Sequence, residues 1–182
     1  INERDFLDRV DILGTVVEEL SENYHVMVSN YAEYHRLAAY LLRYTEEPIG
    51  VAMGVPALKE LFEEKYYAEL DGGILESFGR MFKNDLRLYV YPAGVSGGSI
   101  VNARNLKVAE HLQGLFDYLL SNGFIRRIED YREDYLSIFS RDALEKIRSG
   151  DDSWESMAPD RVVALIKERG LFGYTPPLPD KT

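Results

Sequence analysis

The sequence predicts an α/β fold in which helices pack against a parallel sheet. Short β-branched and apolar runs alternate along the chain with segments whose apolar residues recur at helical spacing. Crossovers of roughly 14 residues between these runs suit the helical connections that parallel strands require. Hydrophobic residues make up 46% and charged residues 29% of the 182 residues, which is typical of a globular protein.

The first half of the chain supplies the predicted strands. They cover His25–Ser29, Ile49–Met53 and Leu86–Tyr91, and each is a short apolar run closed by a turn residue. The segments before and between these strands have apolar residues at helical spacing, which predicts helices over residues 2–13, 15–22, 31–44, 57–70 and 74–82. This order is typical of a Rossmann-like parallel sheet of about three or four short strands with flanking helices.

After residue 95 the pattern changes. An amphipathic helix is predicted over Asn105–Asn122, with extended pieces at Phe124–Asp130 and Tyr135–Phe139. Further helices are predicted over residues 141–148 and 159–169. We therefore expect a Rossmann-like α/β domain over residues 1–95 and a small, mostly helical C-terminal module over residues 96–182, packed on that domain.

Composition excludes several classes of function. The absence of cysteine removes disulfides, thiolate nucleophiles, zinc fingers and iron–sulfur clusters. A net charge of −10 repels nucleic-acid phosphates and anionic lipid. No apolar run approaches the roughly 18 residues of a membrane span. We expect a cytoplasmic protein with no nucleic-acid or membrane partner. Because the residues after Ile1 already read as helix, we also expect a fragment of a longer protein.

The carboxyl ends of the predicted strands are the first candidate ligand site. Open α/β sheets bind ligands beyond these ends, where helix N-termini favour anions. The residues at these ends are Ser29, Asn30, Tyr31, Gly54 and Tyr91. The alternative is that they only form turns, because Gly, Asn, Ser and Pro dominate turns in general.

His35 and the Gly72-Gly73 pair are further candidates. His35 follows the first predicted strand beside Tyr31, which suits a general base or a phosphate contact, or simply a solvated helix face. Gly72 and Gly73 precede a helix and lie near Arg80, but they lack the spacing of known phosphate loops and also fit a flexible turn. Neither a metal-ligand pattern nor a catalytic Ser-His-Asp order is visible, so no metal is expected, and the catalytic residues and any cofactor stay unknown.

Two basic stretches carry weaker signals. The pair Arg126-Arg127 is followed by Glu129-Asp130, which cancels its field locally along the chain. Arg104 lies in a polar cluster before the predicted helix, where an anion site and an ordinary capping turn fit equally well.

Three stretches resemble a known group of proteins: GGILESFGRMFKNDLRLYVYP, from Gly72, NLKVAEHLQGLFDYLLSNGFI, from Asn105, and WESMAPDRVVALIKERGLFGY, from Trp154. They are similar to the C-terminal portion of longer bacterial proteins often named nicotinate- or nicotinamide-nucleotide adenylyltransferases. The resemblance implies nucleotidyltransferase-like activity. The chain departs from it at the motifs that hold the ATP phosphates, the early His-x-x-His loop and the late Ser-Ser-Thr-x-x-Arg motif, which are absent. No catalytic residue is therefore carried over.

Two functions remain open. The first is a domain that binds a nucleotide or another anionic small molecule at the strand ends. The second is a non-catalytic structural or oligomerisation module, in which the 13 tyrosines and the helix Asn105–Asn122 bury a partner or a second copy in a homodimer. The residues alone do not decide whether the chain is an enzyme.

Overall fold

The computed structural model describes residues 3–20, 22–31, 33–95 and 98–176, and these form a mixed α/β protein. Short 3-10 turns connect many of the elements. The α-helices are α1 (Glu3–Leu20), α2 (Tyr34–Leu41), α3 (Val55–Leu61), α4 (Gly73–Met81), α5 (Gln113–Ser121), α6 (Ser140–Ser149) and α7 (Asp160–Arg169). The strands are β1 (Gly50–Gly54), β2 (Arg87–Tyr91), β3 (Ala93–Gly94), β4 (Ile100–Val101) and β5 (Ile125–Arg127).

The main sheet has three parallel strands in the order β1-β2-β5. Central Leu88 aligns with Val51 of β1 and with Ile125 of β5. The strands β3 and β4 form a separate antiparallel pair. The predicted α/β class is confirmed. The strand predicted over residues 49–53 is confirmed with a shift of one residue, and the strand predicted over residues 86–91 is confirmed but starts one residue later.

The two faces of β2 differ in burial. Leu88 and Val90 are completely buried, whereas Tyr89 between them is exposed. Alternation of this kind is usual where only one face of a sheet packs on a core, because neighbouring side chains of a strand point to opposite faces. One face of β2 is therefore fully buried.

The chain divides into two compact units. Residues 29–137 form the central unit, which contains both sheets, and residues 1–28 together with 138–182 form the terminal unit. This division differs from the predicted boundary between residues 95 and 96. The reason is that α1 contacts α7 and the 3-10 turn Leu171–Gly173 that follows it.

Aromatic rings fill the core of the central unit. The ring of Phe62 meets the ring of Phe78 edge-on at 5.0 Å and that of Phe116 at 5.1 Å. Edge-to-face contact is a favourable arrangement because the positive ring edge meets the negative ring face. These residues tie α3, α4 and α5 into one core with Leu88 and Val90.

The terminal unit packs around Trp154. Ile147, Val163 and Ile166 are buried in the same cluster. The buried carboxylate of Asp8 accepts a hydrogen bond from the amide of Phe172 at 2.7 Å, which holds a residue with positive φ in place. This cluster explains the helical periodicity seen in the last part of the sequence.

Several predicted elements differ from the structure. Residues 24–31 form no strand and are exposed. The helix predicted over residues 57–70 ends at Leu61. The helix predicted over Asn105–Asn122 starts only at Gln113, because the side chain of Asn105 donates to the carbonyl of Ile100 and stabilises a turn there. The piece predicted as extended over Tyr135–Phe139 forms no strand, and its first residue ends the 3-10 helix Glu133–Tyr135. Position 2, the predicted start of the first helix, lies outside the described residues.

Among the described residues, no helix is both long enough and apolar enough to cross a membrane.

Leu88→Ala tests whether packing on the buried face of β2 stabilises the central unit. The substitution leaves a cavity in a completely buried position and should lower the free energy of unfolding by about 2–5 kcal/mol, measured by urea denaturation. Leu75→Ala makes the same change at an exposed position of α4 and should stay within about 0.5 kcal/mol of wild type. Equal effects of the two substitutions would contradict this account.

Candidate functional site

A cavity of about 280 Å³ lies in the central unit among α2, α3, α4 and the 3-10 helix Glu64–Tyr67. Its size is near the lower end of the range for small-molecule sites. Its lining residues are Glu33, Tyr34, His35, Ala57, Glu60, Leu61, Tyr66, Tyr67 and Ser77.

His35 and Ser77 form the polar wall of this cavity. Only 6% of His35 and 2% of Ser77 is exposed, and the Ser77 hydroxyl lies 3.1 Å from Nδ1 of His35. The two residues are 42 positions apart in the sequence and meet because α2 packs against α4. The pairing satisfies two polar groups whose burial would otherwise be costly.

Tyr67 extends the polar wall. Its hydroxyl donates a 2.7 Å hydrogen bond to the carbonyl of Leu61, just where α3 ends. Burial raises the pKa of Tyr67 to about 12, and a hydrogen bond with Ser77 opposes that rise. The phenol therefore stays protonated at neutral pH and continues to donate to Leu61.

His35 is neutral at the same pH. Its removal from water lowers its pKa below the usual 6.5, and the positive charges of Arg36 and Arg80 act in the same direction, whereas Glu33 and Glu76 oppose them. Its Nε2 makes no hydrogen bond with any described residue. Nε2 is therefore the ring nitrogen left for a ligand.

The charged groups that line the cavity are acidic. Glu33 lies 3.5 Å from Arg36, whereas Glu60 makes no ion pair with the described residues. No lysine or arginine is among the lining residues. Outside the lining, the ammonium group of Lys65 sits 5.0 Å from the centre of the Tyr66 ring, so one wall ring already attracts a cation.

Of the predicted site residues, only His35 lines this cavity. Ser29, Asn30 and Tyr31 do not follow a strand; they lie in an exposed segment where the Ser29 hydroxyl accepts a 3.0 Å hydrogen bond from the Tyr31 amide. Gly54 ends β1 and precedes α3 directly. Tyr91 ends β2 and packs against the Tyr131 ring. The structure therefore does not gather the predicted residues into one site.

The Gly72-Gly73 turn already holds a carboxylate. The amide of Gly72 donates to Oε2 of Glu76 at 2.8 Å, and Arg80 pairs with the other oxygen of the same carboxylate. Gly73 adopts a positive φ of 54°, a conformation that glycine reaches without strain. An anionic ligand at this turn would have to displace Glu76.

Ser77, Tyr67 and Glu60 were missed as candidate residues. Ser77 had a readable signal, because it is a polar residue on the same helical face as Ile74, Phe78 and Met81, all of which are buried. Tyr67 and Glu60 carried no comparable signal, since their place in the cavity depends on the end of α3.

The described residues contain no group of three or more acidic or histidine side chains that could hold a metal ion. Comparisons of the chain with protein-family models, with curated proteins and with solved structures found no match. The resemblance to nucleotide adenylyltransferases therefore stays a prediction.

The lowered pKa of His35 predicts a pH-dependent stability. Above about pH 6.5 the imidazole is neutral in both states, and as the pH falls below this value the unfolded chain takes up the proton more readily than the folded one. The free energy of unfolding should therefore decrease between pH 6.5 and the lower pKa of the folded state. Urea denaturation at a series of pH values measures this decrease.

His35→Gln should reduce this acid-induced loss, whereas His25→Gln, at an exposed position, should retain it. An unchanged pH dependence in His35→Gln would show that other groups cause the loss.

Proposed function

We propose that the central unit is a small-molecule-binding domain whose ligand occupies the His35 cavity. The observation that carries this proposal is the buried His35–Ser77 hydrogen bond at the wall of a cavity of about 280 Å³. Buried polar groups that converge on an otherwise largely apolar cavity are the usual mark of a ligand site.

The hydrogen bonds suggest which tautomer His35 adopts. We propose that Nδ1 carries the proton and donates to the Ser77 hydroxyl, while Tyr67 donates to the carbonyl of Leu61. The free Nε2 is then an acceptor and favours a ligand group that donates a hydrogen bond.

The lining favours a positively charged ligand. Two carboxylates, from Glu33 and Glu60, and the rings of Tyr34, Tyr66 and Tyr67 line the cavity. Carboxylates attract an ammonium group directly, and tyrosine rings attract it through their negative faces. We therefore propose a compact amine as the ligand class.

The sheet supports a Rossmann-like assignment as part of the same proposal. Its three parallel strands follow one another in chain order, and the crossover from β1 to β2 carries α3 and α4. In such sheets ligands bind beyond the carboxyl ends of the strands. Ala57, in the first turn of the helix that leaves β1, lies in the cavity wall.

Glu60 provides the test of the ligand's charge. We expect benzylamine, titrated into the full chain, to shift the NMR signals of His35 and Tyr67, whereas benzoate, with the same ring and the opposite charge, should not. Glu60→Gln should weaken benzylamine binding roughly twofold to fivefold, which is the strength of a solvent-exposed ion pair.

Glu69→Gln is the matched control, because Glu69 is exposed in the same unit and does not line the cavity. Binding of benzoate as tight as that of benzylamine, or no effect of either compound on His35, would refute the proposal.

A second candidate function is assembly through the segment Tyr24–Val28. Met27 is 52% and Val28 62% exposed. No backbone hydrogen bond pairs this segment with another described residue, and β1 leaves one edge of the sheet open. Because unpaired apolar strands add to open sheet edges, we propose that the segment pairs with β1 of a second copy.

Sedimentation velocity at micromolar concentrations tests this pairing. We expect a dimer that Met27→Asp dissociates and that Leu75→Asp, an exposed position in α4, leaves intact. A wild-type monomer throughout the concentration range would contradict the assembly function.

A further inference from the structure

Three arginines from two separate stretches of the sequence line one cavity of about 470 Å³ in the central unit. Arg104 comes from the loop after β4, and Arg126 and Arg127 come from β5. The only acidic residue in the lining is Glu129. This cavity is separate from the His35 cavity and shares no lining residue with it.

Arg126 is held in place with most of its donors unused. Its Nε donates a 3.1 Å hydrogen bond to the carbonyl of Gly123, in the turn that joins α5 to β5. Gly123 has a φ of 71°, which allows the sharp turn. A guanidinium group has five N–H donors, so the terminal amino groups of Arg126 are left for a ligand.

Arg127 and Glu129 form a pair in the same cavity. Nε and Nη2 of Arg127 lie 2.8 and 2.6 Å from one carboxylate oxygen of Glu129. The carboxylate of Glu129, the one negative charge of the lining, thus neutralises Arg127. The charges of Arg104 and Arg126 are not neutralised within the cavity.

Hydrogen bonds stabilise the loop that contains Arg104. Its amide donates to the side chain of Asn102 at 2.8 Å, and Asn105 donates to the carbonyl of Ile100 at 2.9 Å. The neighbouring Ala103 is completely buried. The Arg104 guanidinium makes no hydrogen bond or ion pair with the described residues.

The open edge of β5 adds backbone donors. Phe124 and Ile128 bond to β2, and residues of a strand alternate in the direction of their amides, so the amides of Ile125 and Arg127 face away from the sheet. They have no backbone partner among the described residues. The unpaired amides of this edge thus belong to Ile125 and Arg127, two residues that line the cavity.

We propose that this cavity binds a small molecule carrying a phosphate group. Its lining has a net charge of about two positive units. Guanidinium forks match phosphate oxygens in pairs, which gives strong charge-assisted hydrogen bonds. The volume suits a small ligand. A nucleic acid is disfavoured because the chain carries a net charge of −10 and the arginines occupy one cavity, not an extended surface.

Titration of the full chain with inorganic phosphate and with AMP, followed by ¹H–¹⁵N NMR, tests the proposal. Shifts should appear over residues 121–129, and AMP should bind where adenosine does not. Arg104→Gln and Arg126→Gln should each weaken binding about fivefold or more. Glu129→Gln should strengthen binding about threefold, because it removes the only carboxylate from the lining.

Arg132→Gln is the matched control, because it removes one positive charge from the same unit at an exposed residue outside the cavity. Any of four results would overturn the proposal: no shifts with phosphate, equal binding of adenosine and AMP, equal weakening by Arg132→Gln, or tight binding of a single-stranded oligonucleotide together with no binding of AMP. The benzylamine titration concerns other residues, so the two proposals can fail separately.

Discussion

The burial of β2 is the constraint on which the central unit depends. Leu88 and Val90 are completely buried, and β2 is the only strand that pairs with both others in the main sheet. Parallel strands cannot be joined by a tight hairpin, so each pairing requires a crossover. The crossover from β1 to β2 contains α3 and α4, which line the His35 cavity. The crossover from β2 to β5 contains α5, whose last turn lines the cavity that holds Arg104, Arg126 and Arg127. Both cavities therefore follow from the parallel pairing.

The two cavities differ in the charge of their linings. Around His35, burial keeps the imidazole neutral, Ser77 lies within hydrogen-bond distance of its Nδ1, and Tyr67 donates to the backbone carbonyl of Leu61. Around Arg126, the positive charges stay near solvent and are fixed by a helix-end carbonyl and by loop geometry. The neutral imidazole favours a ligand group that donates a hydrogen bond, while the charged residues of the two linings have opposite signs, with carboxylates around His35 and an excess of arginines around Arg126.

Local sequence signals predicted the parts of the fold that depend on local structure. The runs that became β1 and β2 are short, apolar and closed by Gly or Pro, and the structure confirms both. The run from His25 has the same character but no strand neighbour, which shows that strand propensity alone does not create pairing.

The sites were harder to predict because they join distant residues. His35 was recognised, but its partner Ser77 is 42 positions away. Arg126 and Arg127 were discounted because Glu129 and Asp130 follow them in the sequence. In the structure Glu129 pairs with Arg127, and Arg104 adds a positive charge from another loop. The sequence neighbours therefore gave only part of the local charge: the pairing of Glu129 with Arg127 is confirmed, and the contribution of Arg104 was missed.

The discontinuity of the terminal unit affects how the chain folds during synthesis. Helix α1 leaves the ribosome long before α7, its packing partner, because the whole central unit lies between them. At translation rates of about 5–20 residues per second, this interval lasts on the order of ten seconds. The continuous central unit can fold within that time. The apolar side of α1 has no packing partner during this interval, so α1 is open to aggregation until α7 is made.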